Sequence, residues 1–132
     1  MATGTLATVA RKFHHDLVHY VSTPVAYTTL TGTIGTVPAG ALVVDAGFVV
    51  TTPFAGVTPQ TIDMGTAADP DGFATALVIT AAGLKAADEL ATSDDLYIAT
   101  DTTLTYTLSA GATVSAGAGY AFVAYIIANR GA

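Results

Sequence analysis

The sequence predicts an all-β fold, an antiparallel β-sandwich or jelly roll of about eight short strands. Three observations carry that expectation. Two stretches alternate apolar and other residues with a period of two, turn residues recur between short apolar runs, and only residues 81–91 are rich in good helix formers. There is no alternation of strands with long helices, as a βαβ fold would need, and no tandem repeat.

The chain is organised around residues 42–51, LVVDAGFVVT. Its even positions, Leu42, Val44, Ala46, Phe48 and Val50, are all apolar, so a period of two lays them on one face toward a core. Residues 37–40 lead into it as a turn, with Pro38 presetting one torsion and Gly40 tolerating the next. Residues 52–56 lead out, and Pro53 is expected to interrupt any ladder there.

The other elements follow in order. Residues 1–10 are Thr, Ala and Gly with isolated Leu6 and Val9, too small and polar to form a core element alone. Residues 11–21, RKFHHDLVHYV, show helical spacing at Phe13, Leu17, Tyr20 and Val21, yet Leu17, His19 and Val21 also alternate with Val18 and Tyr20. The stop at Ser22-Thr23-Pro24 favours a strand that ends there. The chain is therefore divided into residues 1–21, an N-terminal arm or first strand, and residues 22–132, the sandwich.

Residues 25–34 are Thr-rich and aromatic, with Gly32 a candidate bulge. In residues 61–66, Ile62 and Met64 share a face. Residues 67–72, AADPDG, are the strongest turn signal, and residues 74–80 return to strand. Residues 81–91, AAGLKAADELA, predict one or two helical turns weakened by Gly83. Thr92-Ser93-Asp94-Asp95 breaks the chain before residues 96–100. Residues 102–109 place Leu104, Tyr106 and Leu108 on one face and threonines on the other, a half-exposed antiparallel strand. Residues 119–128 are apolar on both faces, as a central strand or one covered by a neighbouring subunit would be.

Composition narrows the function. At 132 residues the chain fits one domain with its own core. No cysteine means no disulfide, thiolate metal site or cysteine nucleophile. Only 11% of residues are charged against 52% hydrophobic, a greasy surface for a free monomer unless much of it is Ala, which points to assembly. The net charge is −6, Glu89 is the only glutamate, and the four cations could neutralise few phosphates, so nucleic acid is not an expected partner. No run reaches the roughly 18 apolar residues of a membrane span, and the basic pair Arg11-Lys12 is misplaced for a secretory signal. Synthesis in a cytoplasm is expected, with the protein left there or packaged into something, and with no membrane partner.

Catalytic constellations lack partners. Ser109 and Ser115 each have the trailing glycine of a nucleophile elbow but not the leading one. His15 and His19 would share a helix face at i and i+4, but in a strand they stand too far apart for one ion, and the three histidines read better as solvent or interface residues beside Arg11 and Lys12. Asp69-Pro70-Asp71-Gly72 resembles the start of a calcium loop without a third ligand or closing Glu. Gly117-Ala118-Gly119 lacks the third glycine and the helix of a dinucleotide loop. No enzyme, no metal site and no cofactor is expected.

Residues 37–44 (VPAGALVV), 49–54 (VVTTPF), 62–73 (IDMGTAADPDGF) and 97–104 (YIATDTTL) resemble small structural proteins of tailed bacteriophages, in particular capsid decoration, or cement, proteins. The likeness covers residues 36–107 and rests on turn and strand motifs. It implies a jelly-roll-like antiparallel β-sandwich of about eight strands with an N-terminal arm. It also implies a structural virion protein on the outer capsid surface that binds the major capsid protein and stabilises the shell; the low-charge composition and the doubly apolar residues 119–128 add the expectation that the chain binds itself, as a homodimer or homotrimer. Arg11, Lys12, Phe13, His14 and His15 are the expected partner-binding residues, because the few cations concentrate there. The competing reading is a tail or fibre module that binds a host glycan or receptor, which needs an exposed aromatic cluster from Tyr97, Tyr106, Tyr120 and Tyr125. A small hydrolase has only the incomplete serine motifs behind it.

Overall fold

A computed structural model describes residues 17–56, 60–109 and 114–127. Among them there are nine strands and no helix: β1 (His19–Ala26), β2 (Thr31–Val37), β3 (Ala41–Ala55), β4 (Thr61–Thr66), β5 (Ala74–Val78), β6 (Gly83–Ala86), β7 (Tyr97–Ile98), β8 (Thr102–Ser109) and β9 (Ala116–Ile127). One antiparallel sheet has the order β1-β9-β3-β6, with the short β7 also paired to β3; the other has the order β2-β8-β4-β5. Eight strands in two four-stranded sheets, with the chain passing between sheets at most links, form a jelly roll; β7 is the ninth strand. Phe48, Ile62, Met64, Phe73, Leu104 and Val123 fill the space between the sheets and are fully buried. Phe48 meets Phe54 edge-on at 5.8 Å.

β3 is the spine, paired along its length with β9. Its alternation is not the single even-numbered row that the sequence predicts. Ala41 and Val43 are buried, Val44 is 47% exposed, and the buried row then resumes at Ala46, Phe48 and Val50. A bulge between Val43 and Asp45 inserts one residue and reverses the parity, so Leu42 and Val44 belong to the other face. Pro53 does not end the strand either. Pairing with β9 resumes at Ala55 after shifts between Val50 and Ala55, so exposed Pro53 falls where no ladder bond is required. The entry turn is as expected: Ala41 N–H donates to Pro38 O at 3.2 Å, and Gly40 takes a φ of 88°.

Three other expectations change. Ser22-Thr23-Pro24 does not stop the first strand; β1 continues to Ala26 because it is a sheet edge, where proline is tolerated. It crosses the division expected at residues 21 and 22. The shift in β2 lies at Ile34, between Thr33 and Gly35, while Gly32 sits directly beneath the Tyr106 ring; a Cβ there would lie 2.7 Å from it. Residues 81–91 form no helix: Gly83–Ala86 pairs with Gly47–Val50, completing the edge of β3, and Gly83 has a φ of 118°. Weak helix propensity yields to the unpaired backbone of β3.

Candidate partner-binding surfaces

The start of β1 pairs with the end of β9, His19 opposite Tyr125, so the chain enters β1 and leaves β9 at the same end of the sandwich. His19 stacks on Tyr125 at 5.4 Å. Arg11, Lys12, Phe13, His14 and His15 precede this point and lie outside the described residues, as do the expected arm up to residue 16 and the His15 partner of any His15–His19 pair.

Charge is segregated along the long axis. The links from β1 to β2, β3 to β4, β5 to β6 and β8 to β9 contain no charged residue. The opposite end carries Asp69, Asp71, Asp94, Asp95 and Asp101, with Asp88 and Glu89 alongside. Much of this acidity holds loops in place. Asp101 Oδ1 accepts from Ala39 N–H at 2.9 Å and Asp88 Oδ1 from Thr75 N–H at 3.2 Å. In β4, Asp63 Oδ1 accepts from Ala76 N–H at 2.7 Å and so supports a residue at a φ of 51°.

The turn at residues 67–72 forms as expected. Thr66 N–H donates to Asp69 O, Asp69 N–H returns to Thr66, and Gly72 N–H donates to Asp69 O. It brings Asp69 beside Asp95; a Cβ on Gly72 would lie 2.8 Å from an oxygen of the first and 3.0 Å from one of the second. The Asp69 carboxyl is held above the usual aspartate range, chiefly by a hydrogen bond with the Asp95 side chain, against an opposing hydrogen bond from Asp71. Among the described residues, no group of three or more His, Cys, Asp or Glu is arranged to hold a metal ion. None of the described helices is long and apolar enough to cross a membrane, since there are none.

Near the uncharged end lies a cleft of about 370 Å³ lined by Pro24, Val25, Ala26, Thr29, Thr51, Tyr106, Ala118, Gly119 and Tyr120. Thr51 Oγ1 donates to Ala118 O at 3.1 Å, which ties β3 to β9 at its rim. Of the four tyrosines required for a sugar-binding cluster, Tyr106 and Tyr120 line this cleft, while Tyr97 and Tyr125 do not. Tyr106 is buried, Tyr125 is half-buried against the core, and Tyr97 and Tyr120 stand opposite Leu42 and Val49 of β3, roughly 20 Å apart. Sequence reasoning missed the cleft because its lining comes from β1, the link after it, β3, β8 and β9, which only the fold brings together.

No protein-family model matches the sequence, and no curated protein matches it significantly. Solved structures do share the fold. A chain of the acid-stable capsid structure of Helicobacter pylori bacteriophage KHP30 superposes with a TM-score of 0.68 at 12% identity, over 87% of this chain and 91% of that one. The jelly roll is common to both. A chain of the cyanophage Pam1 capsid asymmetric unit gives a TM-score of 0.62 at 21% identity, over 83% and 84%. At these identities the likeness is one of fold, and it extends over most of both chains, beyond residues 36–107, which carry the resemblance read from the turn and strand motifs.

Proposed function

We propose that this chain is a structural, non-enzymatic protein of a bacteriophage virion, a decoration protein that binds the outside of the head through the major capsid protein and stabilises the shell. The observation that carries this reading is the shared jelly roll, matched over more than four fifths of each chain to components of two phage capsid structures. The surface is compatible with it. A cement protein needs apolar and backbone contacts rather than reactive groups, and many weak contacts repeated by symmetry act together. A ligand that binds only the assembled shell adds about 2.7 kcal/mol per site at a hundredfold excess over Kd. The tail or fibre module that would bind a host glycan has less support: of the two tyrosines in the cleft Tyr106 is buried, and Tyr97 stands roughly 20 Å from Tyr120.

The arm is the proposed shell contact, with Arg11, Lys12, Phe13, His14 and His15 at its centre. It joins the body beside the acidic loops, where β1 begins. Deleting residues 1–15 leaves the sandwich folded by circular dichroism and abolishes binding to heads assembled without the protein. Undiminished binding by the truncated chain would contradict the assignment of the arm.

A further inference from the structure

We propose that the outer face of the β1-β9-β3-β6 sheet is a self-association surface, on which a second copy of this chain packs the same face about a twofold axis. Pairing across the sheet lines up Pro24, Tyr120, Val49 and Leu84 in one row over four strands. In the next row the Phe122 ring lies over Gly47, where a Cβ would come within 3.1 Å of it, and Tyr20 meets Phe122 at 6.5 Å between ring centroids. Large apolar side chains are left in water: Tyr20 is 67% exposed, Leu84 64% and Tyr120 49%. The cleft beside Tyr120 and Pro24 continues this face toward the uncharged end.

The charge pattern identifies the occupant. In a twofold contact each patch meets its own copy, so an acid on the face would meet the partner's acid. On a chain of net charge −6, the rows through Tyr120 and Phe122 carry no charge, and Asp45 shares the next row, with Ala124 and Tyr20, at the margin of the face. Lys85 alternates to the other side of β6 from Leu84. A cationic partner would be matched by the acidic loops, at the far end from the cleft. Apposing two uncharged faces buries the exposed rings and leaves those loops free. Two sheets meeting this way interdigitate about 10 Å apart, as in other sandwiches.

The size of the face sets the strength of the contact. Four strands about 4.8 Å apart, each used over some 20 Å, offer roughly 400 Å² in projection, about half of what each partner gives to a standard interface. The dimer is therefore a weak, dissociating one, in the micromolar range. This inference does not rest on the head-binding reading, and it is tested without heads.

Sedimentation velocity of the full chain from about 5 to about 500 micromolar should show a concentration-dependent shift from monomer to dimer. Leu84→Glu and Tyr120→Glu, both folded by circular dichroism, should each weaken association about tenfold or more, whereas Val78→Glu, at a position 52% exposed on the other sheet, leaves it unchanged. A monomer at every concentration, a trimer, or association unmoved by both glutamates would each overturn the proposal.

Discussion

Asp69 and Asp95 illustrate how single residues are used in this protein. Aspartates serve first as acceptors for loop N–H groups, which is why acid here is Asp rather than Glu and lies where the backbone turns. Where the turn at residues 67–72 crowds two of them together, they share a hydrogen bond and Asp69 holds its proton above the usual range. A group whose folded pKa is raised binds protons more tightly when folded, so its contribution favours the fold at acid pH and is lost as pH rises through the folded value. Asp95→Asn removes that partner carboxylate, and carboxyl chemical shifts followed by NMR should show Asp69 titrating at lower pH than in the parent. An unchanged Asp69 titration would show that the two groups are not coupled. The turn was readable from Asp-Pro-Asp-Gly; the approach of Asp95 was not, because it depends on where the β6–β7 link returns.

At the scale of the element, β3 shows what periodicity can and cannot decide. The inward positions from Ala46 to Val50 follow from alternation alone. The reversal at Val44 does not, because a bulge of this kind requires no special residue and is imposed by register with β9. The reversal makes opposite predictions for neighbours: Val44→Asp should change stability by no more than about 0.5 kcal/mol, while Val43→Asp should cost at least about 3 kcal/mol by burying an unpaired charge. Urea unfolding of the two variants measures both, and the opposite ranking would restore the even-numbered row. The same logic explains β6, where Lys85 and its neighbours could equally have been helical until the open edge of β3 supplied backbone partners. Residues 119–128 were readable as a central strand. That their outward side stays uncovered follows only from the placement of β1 and β3 on either side of β9.

At the scale of the whole molecule, the jelly roll gathers the acidic loops of the described residues at one end and brings exposed apolar side chains of β1, β6 and β9 onto one sheet face, although neither property is visible in any one segment. The long uncharged stretch from Thr102 to the end of β9 was present in the sequence, but only the topology puts it beside three other uncharged links. A body built in this way suits a component that joins a large assembly by several surfaces. On the readings proposed above, the arm is the shell contact and the apolar sheet face meets a second copy, while a chain without cysteine needs no redox control. The most direct measurement is cosedimentation of the purified protein with phage heads assembled without it, with bound protein counted per major capsid subunit. The account predicts saturable binding at a simple symmetric ratio. Absence of binding to heads, with the protein recovered instead in tails, would contradict it.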